Sequence, residues 1–97
     1  MANKYSLHIN PIIHQSLRLQ IMVFLMVEKE ALFLELEKEL QCTPGNLGAH
    51  LKILADASLV HLKKYFKNSK PVTQVEITRQ GEQDMRAYVQ QLKEYIT

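Results

Sequence analysis

Cysteine occurs once in this chain of 97 residues, tryptophan not at all, and glycine and proline three times each. A lone Cys42 can form no internal disulfide, and it cannot supply a structural zinc cage. Long hydrophobic runs are missing too. The longest, Ile21 to Val27, has seven residues, against the roughly 18 or more that a membrane span needs. No apolar signal core follows Met-Ala-Asn-Lys-Tyr-Ser, so nothing marks secretion and a cytoplasmic protein is expected. Three catalytic signatures are absent: HExxH spacing, a nucleophile elbow and a glycine-rich phosphate loop. The four histidines, His8, His14, His50 and His61, fall on different elements. Neither an enzyme nor a cofactor is expected.

What is there is ordinary in amount. With 46% hydrophobic and 23% charged residues, the composition excludes disorder as the main state. The length points to one domain, residues 1–97, burying roughly two-thirds of its unfolded surface. Net charge is only +2, but it is unevenly spread. Residues 1–40 carry four Lys/Arg against five Glu (−1), residues 41–80 six against two acids (+4), and residues 81–97 two against three (−1). A basic centre on a nearly neutral body is the footprint of a polyanion-binding surface, although a solvated lysine face would read the same way.

The periodicity predicts helix, helix, helix, strand, strand, helix. Asn10-Pro11 has the chemistry of a helix start, and apolar residues continue at helical spacing to about Val27. That stripe nearly encircles the helix, so a partner is expected to cover part of it. After the polar break Glu28-Lys29-Glu30, Leu32, Phe33, Leu36 and Leu40 mark a second helix. In the third, Thr43 is the cap, Pro44 takes the first helical position, and Leu47, Leu51 and Leu54 face the core. The period then drops to two. Val60, Leu62 and Phe66 alternate with His61, Lys63, Tyr65 and Lys67 as a half-buried strand. Asn68-Ser69-Lys70-Pro71 is turn chemistry, and Thr73, Val75 and Ile77 return as the second strand. Thr78 caps a final helix whose seam is Met85, Tyr88, Val89, Leu92 and Ile96.

Two short helices about a tight turn, followed by a lysine-rich hairpin, resemble a winged helix-turn-helix, a mainly α fold with a β-hairpin. The run Asn46-Leu47-Gly48-Ala49-His50-Leu51-Lys52-Ile53-Leu54, with Ala57-Ser58-Leu59-Val60, resembles the recognition helix and following turn of ArsR/MarR-type transcriptional regulators. Lys70-Pro71-Val72-Thr73 and Ile77-Thr78-Arg79-Gln80-Gly81 resemble that group's wing and the start of its last helix. The likeness covers about residues 10–96. Two positions depart from it: Gly48 stands where Ser is frequent, and Ser58 where Gly usually ends the helix, which makes a left-handed turn there costlier.

The resemblance implies double-stranded DNA as partner. The major groove is wide enough for an α-helix, whose first turns meet base edges. At 100° per residue, Gly45, Ala49 and Lys52 face outward with Asp56, while Asn46 and His50 lie on one flank and Gly48 on the other. Gly45, Gly48 and Ala49 would let the backbone approach DNA closely. Asn46 could pair with adenine, or serve as a local cap. His50 could touch the DNA backbone, or be packed and hydrogen-bonded within the fold. Thr43 and Pro44 begin the helix, where exposed amides attract phosphate. Lys52, Lys63, Lys64, Lys67 and Lys70 suit phosphates rather than bases and are expected on one face. The group pairs through its terminal helices, which here implies a homodimer through 10–27 and 79–96, using Ile13, Leu17, Ile21, Tyr88, Leu92 and Ile96. Metal sensing, frequent in ArsR-like repressors, needs cysteine pairs or His/Asp clusters that these helices lack. Cys42 lies just before a helix start, where a thiol can be activated, or is a small apolar turn residue. A steric repressor is the simplest expectation, as no further domain is seen to recruit polymerase; no effector is identified. The competing reading is a winged helix protein-interaction module, which would show an exposed apolar patch instead of a basic face.

Overall fold

The computed structural model describes residues 8–96, so the stretch Met1–Ser6 lies outside them. Four helices and three strands follow in order: α1 (Ser16–Glu28), β1 (Glu30–Leu32), α2 (Phe33–Leu40), α3 (Pro44–Asp56), β2 (Val60–Lys67), β3 (Lys70–Ile77) and α4 (Arg79–Ile96). The predicted α-α-α-β-β-α order is observed, with one short strand added. That strand, β1, starts at the last residue of the expected polar break, takes in Leu32, which was expected in the second helix, and pairs antiparallel with β3, giving a three-stranded sheet of order β1-β3-β2. Three residues are too short a run to show a period, so only the pairing of Ala31 with Val75 declares it.

The first helix starts later than Asn10-Pro11 suggested. Asn10 caps an isolated turn, its Oδ1 accepting from the amides of Ile12 (2.9 Å) and Ile13 (3.2 Å). The α1 cap is Gln15, whose side chain accepts from the Arg18 amide at 2.9 Å. The helix is then buried on most sides by its own chain, since it packs against α2, α3, α4, β1 and β3. For three of the expected dimer residues this is a correction. Ile13, Ile21 and Tyr88 are fully or almost fully buried in the core, with Met22, Leu25, Leu36, Leu47, Leu51, Leu54, Leu59, Val75 and Met85. Leu17 and Leu92 are half-buried against the same core, and only Ile96 of that set is well exposed. A central helix looks from its sequence like an interface helix, because both must be apolar all round.

Local signals elsewhere hold. Thr43 accepts from the Asn46 amide at 3.2 Å, with Pro44 in the first helical turn. Thr78 caps α4 through Gly81 N–H donating to its Oγ1 at 2.9 Å. At the end of α3, Ser58 adopts φ 65°, the left-handed conformation glycine prefers, while the amides of Ser58 and Leu59 donate to Ala55 and Leu54 carbonyls. Ser58→Gly is therefore expected to stabilise the fold by about 1 kcal/mol; a denaturant midpoint that does not rise would overturn this.

Candidate nucleic-acid interface

The helix-turn-helix is built by α2, the turn Gln41-Cys42-Thr43, and α3. Gln41 ends α2 in the left-handed region at φ 51°, which turns the chain sharply. Leu47, Leu51 and Leu54 anchor α3 to the core, and this leaves Gly45, Asn46, Ala49 and Lys52 exposed on its far side. Gly48 is half-buried on the flank.

Gly45 and Gly48 have no internal steric reason to be glycine. A Cβ built at either position meets nothing within 4 Å. Each glycine inside a helix costs about 1 kcal/mol relative to alanine. Two of them on one outward surface, unexplained by packing, leave bare backbone for something outside the chain to approach. Because Thr43 performs the capping, accepting from the Asn46 backbone N–H, the Asn46 side-chain carboxamide is not needed as a cap and makes no hydrogen bond among the described residues. It is left facing solvent.

His50 has a partner within the fold. Arg18 of α1 places Nη1 3.0 Å from His50 Nδ1, while its Nε donates to the Ile12 carbonyl at 2.6 Å. That bond engages Nδ1 alone, and the half-buried ring keeps part of its surface in solvent. Arg18 was missed by the sequence reading. Its signal was available, as it is the one Lys, Arg, Asp or Glu between Ile12 and Val27. The other histidines are dispersed: His14 Nδ1 lies 2.8 Å from the Tyr88 hydroxyl, and His61 sits exposed on β2. Among the described residues, no group of three or more His, Cys, Asp or Glu could hold a metal ion. No helix among them is long and apolar enough to cross a membrane. Cys42 is half-buried against the core.

The hairpin closes through a two-residue loop, Asn68-Ser69, with φ 52° and 63°. Positive φ at both positions makes the tight turn whose twist matches paired strands. Lys63, Lys64, Lys67 and Lys70 are all exposed. They do not share one face, however. Facing pairs Lys63–Gln74, Tyr65–Val72 and Lys67–Lys70 project from one side, while Lys64–Thr73 and Phe66–Pro71 project from the other, because successive strand residues alternate. The expectation of a single lysine face is corrected accordingly: the basic charge surrounds the hairpin. Phe66 is corrected as well, being 76% exposed rather than half-buried. Lys52 ion-pairs with Asp56 at 3.1 Å, both side chains largely exposed. Such a pair contributes under about 0.5 kcal/mol and yields readily to a phosphate.

A helix-turn-helix followed by an exposed basic hairpin defines a winged helix protein. The sequence pattern of the winged helix DNA-binding domain matches residues 17–96, and the chain belongs to that family. A structure described as a transcriptional regulator homologue from Pyrococcus horikoshii OT3 is 36% identical. It covers 88% of this chain and 84% of its own, with a TM-score of 0.83. HlyU from Vibrio cholerae N16961 shares the fold at 21% identity and a TM-score of 0.62, over 78% of each chain. No curated protein matches.

Proposed function

We propose that this chain binds double-stranded DNA sequence-specifically, as a homodimeric transcriptional regulator of ArsR/MarR type without catalytic activity. In this reading α3 lies in the major groove, Asn46 reads a base edge, and the hairpin lysines hold phosphates. Repression follows most simply, since a bound dimer would obstruct the duplex. The observation that carries the reading is the outward surface of α3: two glycines that no internal contact requires, beside an exposed Asn46 side chain whose carboxamide has no hydrogen-bond partner among the described residues.

The dimer reading moves to new residues. Val23, Val27 and Val89, exposed by 50%, 74% and 44%, line an apolar groove between α1 and α4 together with Met26 and Met85. A two-fold axis beside this groove would cover it in both protomers, and the DNA reading requires that the two α3 helices then lie about 34 Å apart, one turn of DNA.

Selection of bound duplexes from a random pool tests the reading. The wild-type chain should enrich a two-fold symmetric site, and Asn46→Ala should relax one position of each half-site at a cost of about 1–3 kcal/mol. Gly48→Ala should raise thermal stability yet weaken binding. A chain that retains no duplex at low salt would instead act as a protein-interaction module.

A further inference from the structure

We infer that Arg18 and His50 together form a site for one phosphate of the duplex, at the junction of α1 and α3. The assignment rests on the DNA reading above. Arg18 is half-buried, and it makes no ion pair among the described residues. Its hydrogen bonds go to neutral groups instead: Nε donates to the Ile12 carbonyl at 2.6 Å, and Nη1 to His50 Nδ1 at 3.0 Å. A charge that has lost part of its water ordinarily meets an opposite charge. No carboxylate of the described chain supplies one, so the anion that balances Arg18 is to be sought outside it.

The bond between the two side chains also decides where the imidazole hydrogen sits. A guanidinium has donors only. His50 Nδ1 therefore accepts and carries no hydrogen, and the hydrogen of the neutral ring is on Nε2. Neither that Nε2 nor Arg18 Nη2 has a hydrogen-bond partner among the described residues, yet neither is sealed from solvent. Both present N–H donors outward, from planar groups that touch each other. The oxygens of a single phosphate can accept from such a pair, and a guanidinium fork suits them better than a flexible ammonium does. The position fits as well. His50 stands one turn beyond Asn46, on the same flank of α3. With α3 in the major groove, a flank meets the wall of the groove, where backbone phosphates lie rather than base edges. Arg18 thus acts twice, supplying the positive charge and, through Nη1, positioning the His50 ring.

The test follows duplex affinity against salt concentration for the full chain and four variants. Arg18→Gln should weaken binding about tenfold and lower the log–log slope by about 2, one phosphate for each protomer of a dimer. Arg18→Lys should keep the slope, since it keeps the charge. His50→Leu should also cost about tenfold, but with the slope unchanged, because a neutral donor releases no counterion. His50→Gln should recover most of that affinity, as its amide carries an N–H donor as many bonds from the backbone as Nε2. A pair that merely ties α1 to α3 would lower the melting temperature in these variants and alter the slope in none. An unchanged slope in Arg18→Gln, or an equal fall in Arg18→Lys, therefore overturns the site alone. Nuclear magnetic resonance separates the two sources of phosphate. The His50 Nε2–H signal of the wild-type chain should move on adding duplex and stay in place with inorganic phosphate at the same ionic strength. Movement with inorganic phosphate alone assigns the pair to a free anion and overturns the duplex site. Failure of the wild-type chain to bind duplex at low salt overturns the DNA reading and this site together.

Discussion

Raising monovalent salt from 50 to 200 mM is expected to weaken duplex binding about a thousandfold or more. Each protomer presents Lys63, Lys64, Lys67 and Lys70 exposed on the hairpin, with Lys52 on α3 behind its surface ion pair. A dimer would then neutralise on the order of eight phosphates and release their condensed counterions, giving a log–log slope near −7. Val27→Glu adds a dimension to the same measurement. It places a charge where Val27 is 74% exposed on the groove between α1 and α4. Sedimentation should return a monomer, and the slope should fall by about half. A wild-type slope shallower than about −2 would remove the lysine hairpin as the source of affinity.

The second large effect is on stability. Gly81→Ala is expected to cost about 3 kcal/mol or more, lowering Tm by roughly 15 °C. A Cβ at Gly81 would overlap the Leu59 carbonyl oxygen and stand 2.9 Å from Ile77 Cγ1. Retreat is blocked, because the neighbouring Thr78 N–H donates to that Leu59 carbonyl at 3.1 Å and Thr78 Oγ1 lies 2.7 Å from the Ser58 carbonyl. Relieving the overlap means pulling the start of α4 off the turn between α3 and β2 to which it is bonded. Gly45→Ala and Gly48→Ala supply the contrast, each expected to raise Tm. A thermal melt of Gly81→Ala within 1 kcal/mol of wild type would show that α4 can shift without loss. None of the three glycines has a positive φ, whereas Ser58, Asn68 and Ser69 do. In this chain glycine is used for closeness and bare surface rather than for turns.

Much of the fold was legible because its signals are local. A cap such as Thr43 or Thr78 acts on an amide three residues away, and a Leu47-Leu51-Leu54 spacing reports the inward side of a helix whatever lies opposite. The outward set Gly45, Ala49, Lys52 and Asp56 followed from the same angular arithmetic. Arg18 was harder, since its meaning depends on His50, thirty-two residues along the chain. Ile13, Ile21 and Tyr88 read as dimer residues for a related reason: an apolar face states that it is covered, not by what.

By itself, then, the sequence determined the number and order of the helices, the caps at Thr43 and Thr78, the hairpin with its positively charged tip, and which side of α3 looks outward. Tertiary structure alone decided that Glu30–Leu32 is a strand, that α1 is central rather than peripheral, that Phe66 projects beyond the body, and that Gly81 has no room for a methyl group. The division is physical. Periodicity and capping are encoded over three or four neighbouring residues, whereas coverage and clearance depend on surfaces that meet only when distant segments pack.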